Sequence, residues 1–260
     1  MENVPVHPFV VYEHPLNERV RNLLRLEFLF RQLQHCQVGN TPWDSRLFIA
    51  TLLDILAVLS RSDLKTELIK ELERHLSTLT RLGESPDVDQ QQLTTILKHL
   101  EQLRSALHAT NGPLGQNLRD SGFLSGVRQR STIPGGTCDF DLPAYHHWLS
   151  RPAEERKQLQ QQWQDSLRLT RQTVELLLKL VRNTAAPTHE VGAAGGFQRN
   201  LDPELPFQLI RVAIDSELPY YAEISGGRHR FTIRFLEPTE GTRPQQATVD
   251  VPFRLSCCAL

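Results

Sequence analysis

Apolar side chains recur at three- and four-residue spacing through most of the first 183 residues, the pattern of helices that bury one face. Four such stripes precede residue 110, and a longer one follows residue 149. Asn17 offers a cap for the first stripe, and Gly83 ends the third. The predicted helices span residues 17–33, 43–59, 64–79, 89–108 and 150–183. Because their leucine faces need partners and the connecting loops are short, the sequence predicts an antiparallel bundle.

The period of the pattern changes to two in the last quarter of the chain. Three runs rich in β-branched and aromatic side chains are predicted strands, at residues 207–215, 228–236 and 248–256. Gly226 and Gly227 signal a hairpin between two strands. The short run from Phe9 to Tyr12 has the same character, and a lone strand needs a partner that is distant in sequence. We therefore expect it to join the C-terminal strands in one antiparallel sheet.

The fold class predicted from these patterns is α+β, with an N-terminal antiparallel helical bundle and a smaller antiparallel β-sheet domain completed by the N-terminal strand. We expect the helical domain over residues 16–185 and the β domain over residues 1–15 and 186–260. Residues 184–196 read TAAPTHEVGAAGG. Because these residues are mostly small, they are predicted to form a flexible boundary between the domains.

The predicted strand RHRFTIRF alternates between apolar and polar positions. Phe231, Ile233 and Phe235 should face one side of the sheet. The other side then carries Arg228, Arg230, Thr232 and Arg234. A row of guanidinium groups recognises anions, since each presents a planar fork of donors that matches a carboxylate or a phosphate. The same arginines could instead pair with acids such as Asp250 across the sheet, and the spacing leaves both interpretations open.

Composition limits the kinds of partner and the environment. The 260-residue chain has 29 Lys and Arg against 30 Asp and Glu, a net charge of −1, so an anionic partner must recognise a local patch. The chain carries neither a secretory signal pattern nor an apolar run long enough to cross a membrane, which predicts a soluble protein. The four cysteines, at positions 36, 138, 257 and 258, lack the spacing of ligand pairs and favour reduced thiols in a cytosol.

Residues 127–149, VRQRSTIPGGTCDFDLPAYHHWL, interrupt the helical pattern. Pro134 fixes one φ angle, and the two glycines after it can adopt positive φ, so a defined turn is predicted. Six charged or imidazole side chains surround this turn: Arg128, Arg130, Asp139, Asp141, His146 and His147. These groups either cap helix ends and hold the loop in place, or they carry chemistry.

Four segments, in the same order along the chain, resemble the ZapD family. They are EHPLNERVRNLLRLEFLFRQL near the N-terminus, the segment 127–149, ISGGRHRFTIRF, and the closing β-rich run with Cys257 and Cys258. The resemblance implies a cytoplasmic, non-enzymatic protein at the midcell division site, without cofactor or metal. It also implies a homodimer of helical and β domains whose basic surface binds the C-terminal tail of FtsZ, the tubulin-like division GTPase. Such a dimer would bundle FtsZ filaments without binding nucleic acid or membrane.

The same resemblance assigns roles to individual residues. The tail-binding arginines correspond to Arg61, Arg230 and Arg234, with Arg228 on the same predicted strand. A second polar group is expected to be structural, and consists of Arg25, Arg119, Arg128, Arg130 and His146. The chain departs from the family pattern at Gly122, where relatives can carry a basic residue, and in the looser segment 192–196.

Two other function classes can be drawn from the residues. A hydrolase or metal protein would use Cys138, Asp141, His146 and His147, but Cys138 lacks a nucleophile elbow and a second ligand pair. A nucleic-acid-binding module would use the arginine strand with its interleaved phenylalanines. Alternation places those aromatic rings on the opposite face from the arginines, where they cannot stack on bases.

Overall fold

A computed structural model describes residues 9–60, 63–83, 88–239, 241 and 243–260. The described residues within 9–21 and 178–260 form one compact unit, which we call the β unit. Those within 22–177 form a second, the helical unit. None of the described helices is both long and apolar enough to cross a membrane. The α+β fold class is therefore confirmed, with helices and antiparallel sheets in one chain.

All five helices predicted from the apolar spacing are present. Asn17 caps the first of them, its Oδ1 accepting a hydrogen bond of 2.9 Å from the Val20 amide. Three short helices, α5 to α7, occupy the glycine-rich region before the longest helix. The helices are α1 (Glu18–Val38), α2 (Pro42–Ser60), α3 (Leu64–Leu82), α4 (Gln90–Ala109), α5 (Gln116–Arg119), α6 (Gly122–Ser131), α7 (Pro143–Leu149) and α8 (Ala153–Arg182).

An aromatic cluster holds the segment 127–149 against the core of the helical unit. Trp148 lies 5.6 Å from Phe123 and 5.9 Å from Trp163, measured between ring centroids. Tyr145 stacks on Trp148 at 6.0 Å, and Phe48 stacks on Trp163 at 6.4 Å. Such aromatic pairs contribute about 0.5–1.5 kcal/mol each beyond the area they bury. This segment is thus anchored by its aromatic residues, with its turn exposed beside them.

The strands of the β unit form two antiparallel sheets, so the expectation of a single sheet is wrong. The strands are β1 (Phe9–Pro15), β2 (Thr188–Gly192), β3 (Gly196–Asn200), β4 (Phe207–Asp215), β5 (Tyr221–Gly226), β6 (Arg230–Glu237), β7 (Gln245–Gln246) and β8 (Val251–Ala259). Sheet A has the order β1-β4-β8-β2, and sheet B has the order β3-β6-β5, with β7 also paired to β6. The N-terminal strand joins sheet A through β4, as predicted, from Phe9 opposite Asp215 to Pro15 opposite Leu209.

One core holds the two sheets together. Inner-face residues of sheet A, such as Val212 and Phe253, are buried in the same cluster as Phe231 and Phe235 of sheet B. The rings of Phe235 and Phe253 are 5.0 Å apart. A period of two shows which side chains share a face, but it does not show which strands share hydrogen bonds. Two sheets whose apolar faces cover each other therefore satisfy the same pattern.

The segment 184–196 contains strand β2, which pairs with β8, so the expectation of a flexible linker is wrong. Its small residues have a geometric reason. Gly195 adopts φ of 70°, and a Cβ atom there would lie 2.4 Å from the carbonyl oxygen of Ala247. A Cβ atom on Gly192 would lie 2.5 Å from the ring of Phe235. These glycines permit a tight turn and close packing, which a composition argument cannot distinguish from flexibility.

Glu13 of β1 joins the end of helix α8 to sheet A within the β unit. Its carboxylate accepts hydrogen bonds from Arg182 at 2.8 and 2.7 Å and from Arg211 of β4 at 2.8 Å. Burial alone would raise the pKa of Glu13, but the hydrogen bonds and charges of the two arginines outweigh it and hold the pKa below its ordinary value.

Replacing this carboxylate, as Glu13→Gln, should therefore destabilise the protein in a pH-dependent way. At pH 7 we expect a loss of about 1.5–3 kcal/mol, the usual contribution of hydrogen bonds to charged groups. Because the folded pKa is lowered, the contribution is present above the ordinary Glu pKa of about 4.3 and is lost as pH falls through the lowered value. Urea denaturation of both proteins at pH 7 and near pH 3 measures this. If the free energies of unfolding of the two proteins differed by the same amount at both pH values, the ionised Glu13 carboxylate would not be the source of the stabilisation.

Candidate anion-binding face of sheet B

Strand β6 separates its side chains as the sequence predicts. Phe231, Ile233 and Phe235 are fully buried, whereas Arg230 and Arg234 are exposed. The buried residues contribute to the core between the sheets, which fixes the side from which the arginines project. The strand lies in the middle of sheet B, with β3 on one side and β5 on the other. The arginines consequently stand on a sheet surface and not at its edge.

The outward positions of the three strands form a surface that we call the polar face. Its members, read from the strand register, are Gln198 and Asn200 of β3, Arg230, Thr232 and Arg234 of β6, and Glu223 and Ser225 of β5. Beyond Arg234, the same side continues with Tyr221 of β5 opposite the buried Leu236 of β6. Thr232 and Ser225 are joined by a hydroxyl hydrogen bond of 3.2 Å. Glu223 is the only carboxylate among these residues, all of which lie in the described part of the chain. Two guanidinium groups therefore face one carboxylate on an otherwise neutral surface.

Arg234 pairs with Glu223, directly opposite on β5. Its Nε donates to Oε2 of Glu223 at 3.1 Å, and its Nη2 donates to the same oxygen. The two side chains are 57% and 50% exposed, so water screens the pair and its contribution to stability is about 0.2–1 kcal/mol. The expected partner Asp250 is elsewhere, its Oδ1 accepting a hydrogen bond from the Ala194 amide at 3.0 Å. A partner acid exists, but it is weakly held and accessible.

Arg228 lies in the hairpin turn and not on the strand, which corrects the predicted row of arginines. Pairing between β5 and β6 ends at Gly226 opposite Phe231, and the Gly227 amide donates to the carbonyl of Arg230 at 3.0 Å to close the turn. Strand alternation stops where pairing stops, so Arg228 is displaced from the row. The turn borders an open cleft of about 510 Å³ lined by residues 225–232. Neither Arg228 nor Arg230 forms an ion pair within the described chain.

The remaining predicted site residues lie in the helical unit, and Arg61 falls outside the described residues. His146 Nδ1 is 3.0 Å from Asp139 Oδ1, and Arg130 is 3.9 Å from Asp141, so these two residues contact acids of the same loop. Arg119 donates to the carbonyl of Leu114. Arg25 occupies an exposed position of α1, and Arg128 lies in the last turn of α6. The contacts of Arg130 and His146 lie within the loop, and that of Arg119 lies at the start of α5.

Arg46 of α2 is a residue that the sequence reasoning missed. It donates to the carbonyl of Thr137 at 2.8 Å and to Asp139 at 2.9 Å, and its guanidinium lies 5.1 Å from the centroid of the Tyr145 ring. These contacts hold the segment 127–149 by its backbone, its charge and an aromatic face. The acids and imidazoles of the loop are visible in the sequence, but the arginine that contacts this loop lies in α2, 91 residues before Thr137. Sequence spacing alone does not reveal that contact.

The residues of the hydrolase or metal interpretation do not assemble into a reactive group. The thiol of Cys138 donates to Asp141 at 3.4 Å, whereas His146 pairs with Asp139. Within residues 9–60, 63–83, 88–239, 241 and 243–260, no three His, Cys, Asp or Glu side chains are placed to share a metal ion. The contacts of this loop hold its turn in one conformation.

The fold is that of an α+β protein with two antiparallel sheets packed face to face, one of which exposes two arginines on its outer side. Comparison with known proteins gives the family. The ZapD family model, described as a cell division protein, matches residues 24–234. Cell division protein ZapD of Methylococcus capsulatus is 44% identical over 251 residues, covering 96% of this chain and 98% of the relative. The namesake from Ralstonia pickettii is 38% identical over 250 residues, covering 96% and 99%. That from Azoarcus sp. is 37% identical over 251 residues, covering 96% and 100%.

The chain therefore belongs to the ZapD family of cell division proteins. Its family resemblance, expected from four segments of sequence, is confirmed over nearly the full length. The family description assigns it a role in cell division.

Proposed function

We propose that this protein binds the C-terminal tail of FtsZ through the polar face of sheet B. The observation that carries the proposal is the pair of exposed arginines on β6, one without an ion pair in the described chain and one held only by an exposed carboxylate. Arg228 in the adjoining turn adds a third cation beside them. A polypeptide with acidic side chains can exchange its water contacts for these donors, and each charge-assisted hydrogen bond contributes about 1.5–3 kcal/mol when sheltered.

The proposed tail-binding set also includes Arg61, which the family resemblance implies and which lies outside the described residues. Arg61→Glu is accordingly expected to weaken tail binding. Since the net charge of the chain is −1, attraction for an acidic tail must come from these local positions and not from the protein as a whole.

Nucleic acid is the main alternative ligand for an arginine-rich sheet face. Sheet-based recognition of single strands relies on aromatic side chains that stack on bases. Phe231 and Phe235 are completely buried between the two sheets, and the only ring that the register of β5 and β6 places on the side of the arginines is the half-buried Tyr221, opposite Leu236 and beyond Arg234. One half-buried ring outside the arginine pair is a poor stacking platform, which favours an acidic peptide over a nucleic acid.

We further propose that the protein is a cytoplasmic homodimer at midcell that crosslinks FtsZ filaments. One polar face per chain can only decorate a filament. Two faces related by a twofold axis can engage two filaments at once, and linking weak sites raises the apparent affinity without new contacts. The homodimer is the arrangement that the family resemblance implies, and bundling is its expected consequence.

Mixed dimers test the crosslinking. A dimer with one intact polar face and one that carries Arg230→Glu should bind filaments but fail to bundle them. The intact homodimer should do both, because only it can occupy two tails simultaneously. Sedimentation at low speed collects bundles, whereas high speed collects all filaments with bound protein. If one-armed dimers bundled filaments as well as the intact dimer, charge neutralisation would have to replace bridging as the mechanism.

A further inference from the structure

The carboxylate of Glu223 occupies the donors of Arg234 while the neighbouring Arg230 has no such partner. Both arginines point to the same side of β6. Glu223 lies directly across from Arg234 in the register, and its Oε2 accepts from both Nε and Nη2 of that arginine. At the other end of the face, Arg230 lies opposite Asn200, a neutral residue. The two cations of the polar face therefore differ in availability, although they are alike in sequence.

We infer that Glu223 is an internal competitor for the ligand carboxylate, so that the face selects segments with two carboxylates placed to reach both arginines. This inference rests on the proposed function, since it concerns what the same face recognises. An incoming carboxylate can bind Arg230 without displacing anything. Binding Arg234 requires it to replace Glu223, and a second carboxylate already tethered at Arg230 does so at a high local concentration.

The spacing of the required carboxylates follows from the strand. Arg230 and Arg234 are four residues apart on β6, which places their Cα atoms about 13 Å apart. An extended ligand presents residues i and i+4 on one side at the same separation. The ligand class is thus an extended peptide with acidic residues at i and i+4. Between them, Thr232 and Ser225 offer hydroxyl groups and no competing charge.

Glu237 provides a matched control for the loss of a negative charge. It is exposed at the end of the same strand and forms no ion pair within the described chain. Glu223→Gln and Glu237→Gln change the net charge equally, but only the first releases Arg234. The pair separates a direct competition from a general change in the field of the protein.

The test uses two synthetic decapeptides of glycine and serine, one with glutamate at positions 3 and 7 and one with glutamate only at position 3. Each is titrated into the full-length protein and followed by the Nε–Hε NMR signals of arginine, with the Arg234 signal assigned from its loss in Arg234→Lys. Glu223→Gln should tighten binding of the two-carboxylate peptide about two- to fivefold, the equivalent of releasing one exposed ion pair. The one-carboxylate peptide should bind close to its wild-type affinity, and Glu237→Gln should leave both unchanged.

Several outcomes would overturn the inference. Equal gains from Glu223→Gln and Glu237→Gln would mean that bulk charge governs binding. Weaker binding by Glu223→Gln would make Glu223 a residue that positions Arg234 for the ligand, and absence of binding by either peptide would remove the site. Because neither probe has the FtsZ sequence, these results are independent of the proposed partner. If Glu223→Gln tightened binding of the two-carboxylate peptide but the FtsZ tail did not bind the polar face, only the proposed partner would be rejected.

Discussion

Charge reversal on β6, as Arg230→Glu or Arg234→Glu, should abolish detectable binding of the FtsZ tail while leaving the fold intact. Both side chains are exposed on the polar face, so no core contact is lost. Reversal removes a charge-assisted hydrogen bond and adds a like charge against an acidic ligand, which together cost several kcal/mol of binding free energy. Calorimetric titration with a tail peptide measures the loss, and far-UV circular dichroism verifies the fold.

Arg243→Glu is the matched control for these reversals. Arg243 is exposed in the same unit but lies outside strands β3, β5 and β6. The net charge changes by the same amount, so its tail binding should fall only slightly. Arg234→Glu also places a second carboxylate directly opposite Glu223, and like charges in that register repel. If Arg230→Glu and Arg234→Glu both bound the tail with unchanged affinity, the polar face would not be the binding site.

The second large effect concerns the buried side of the same strand. Phe235→Ala should lower the free energy of unfolding by about 3–5 kcal/mol, because a large ring leaves a cavity in a core that cannot fully collapse. Phe235 is completely buried, packs against Phe253 with ring centroids 5.0 Å apart, and approaches Gly192 of β2 closely. Urea denaturation gives the change.

Thr232→Ala is the control for Phe235→Ala, because it truncates a side chain on the outer side of the same strand. Thr232 faces outward, and its hydroxyl lies 3.2 Å from the Ser225 hydroxyl and 3.4 Å from the Ser225 carbonyl, so its loss should change the free energy of unfolding by no more than about 1 kcal/mol. Similar losses from both variants would contradict the division of β6 into a core side and a polar side. That division underlies the exclusion of Phe231 and Phe235 from ligand contact.

Much of the fold could be predicted from the spacing of apolar residues, because that spacing reports directly on which side of an element is buried. Helix α8 and strand β4 illustrate this, with β4 found at residues 207–215 as predicted. Strand pairing was harder to predict. The split into sheets A and B depends on contacts between residues distant in sequence, for which alternation along one strand carries no information. Strand β2 was missed for a related reason, since the glycines around it resemble a linker until their neighbours are known.

The features of the candidate site that depend on one strand could be predicted from the sequence. Those that depend on the register between two strands could not. The exposure of Arg230 and Arg234 follows from alternation within β6. Glu223 depends on the hairpin register, which the pair Gly226-Gly227 only hinted at. With the turn fixed at residues 227–230, counting back along β5 places Glu223 opposite Arg234 and moves Arg228 out of the row. The relevant signal was present in the sequence, but it required the exact length of the turn.

The most direct test of the central proposal is a calorimetric titration of the full-length protein with an FtsZ-tail peptide and, separately, with a single-stranded oligonucleotide of equal charge. The proposed function predicts saturable binding of the tail peptide that weakens as salt is raised, because exposed charges are screened over about 8 Å at physiological ionic strength. It predicts much weaker binding of the oligonucleotide, since the aromatic rings of β6 are buried. Preferential binding of the oligonucleotide, or tail binding that is indifferent to salt, would contradict the account.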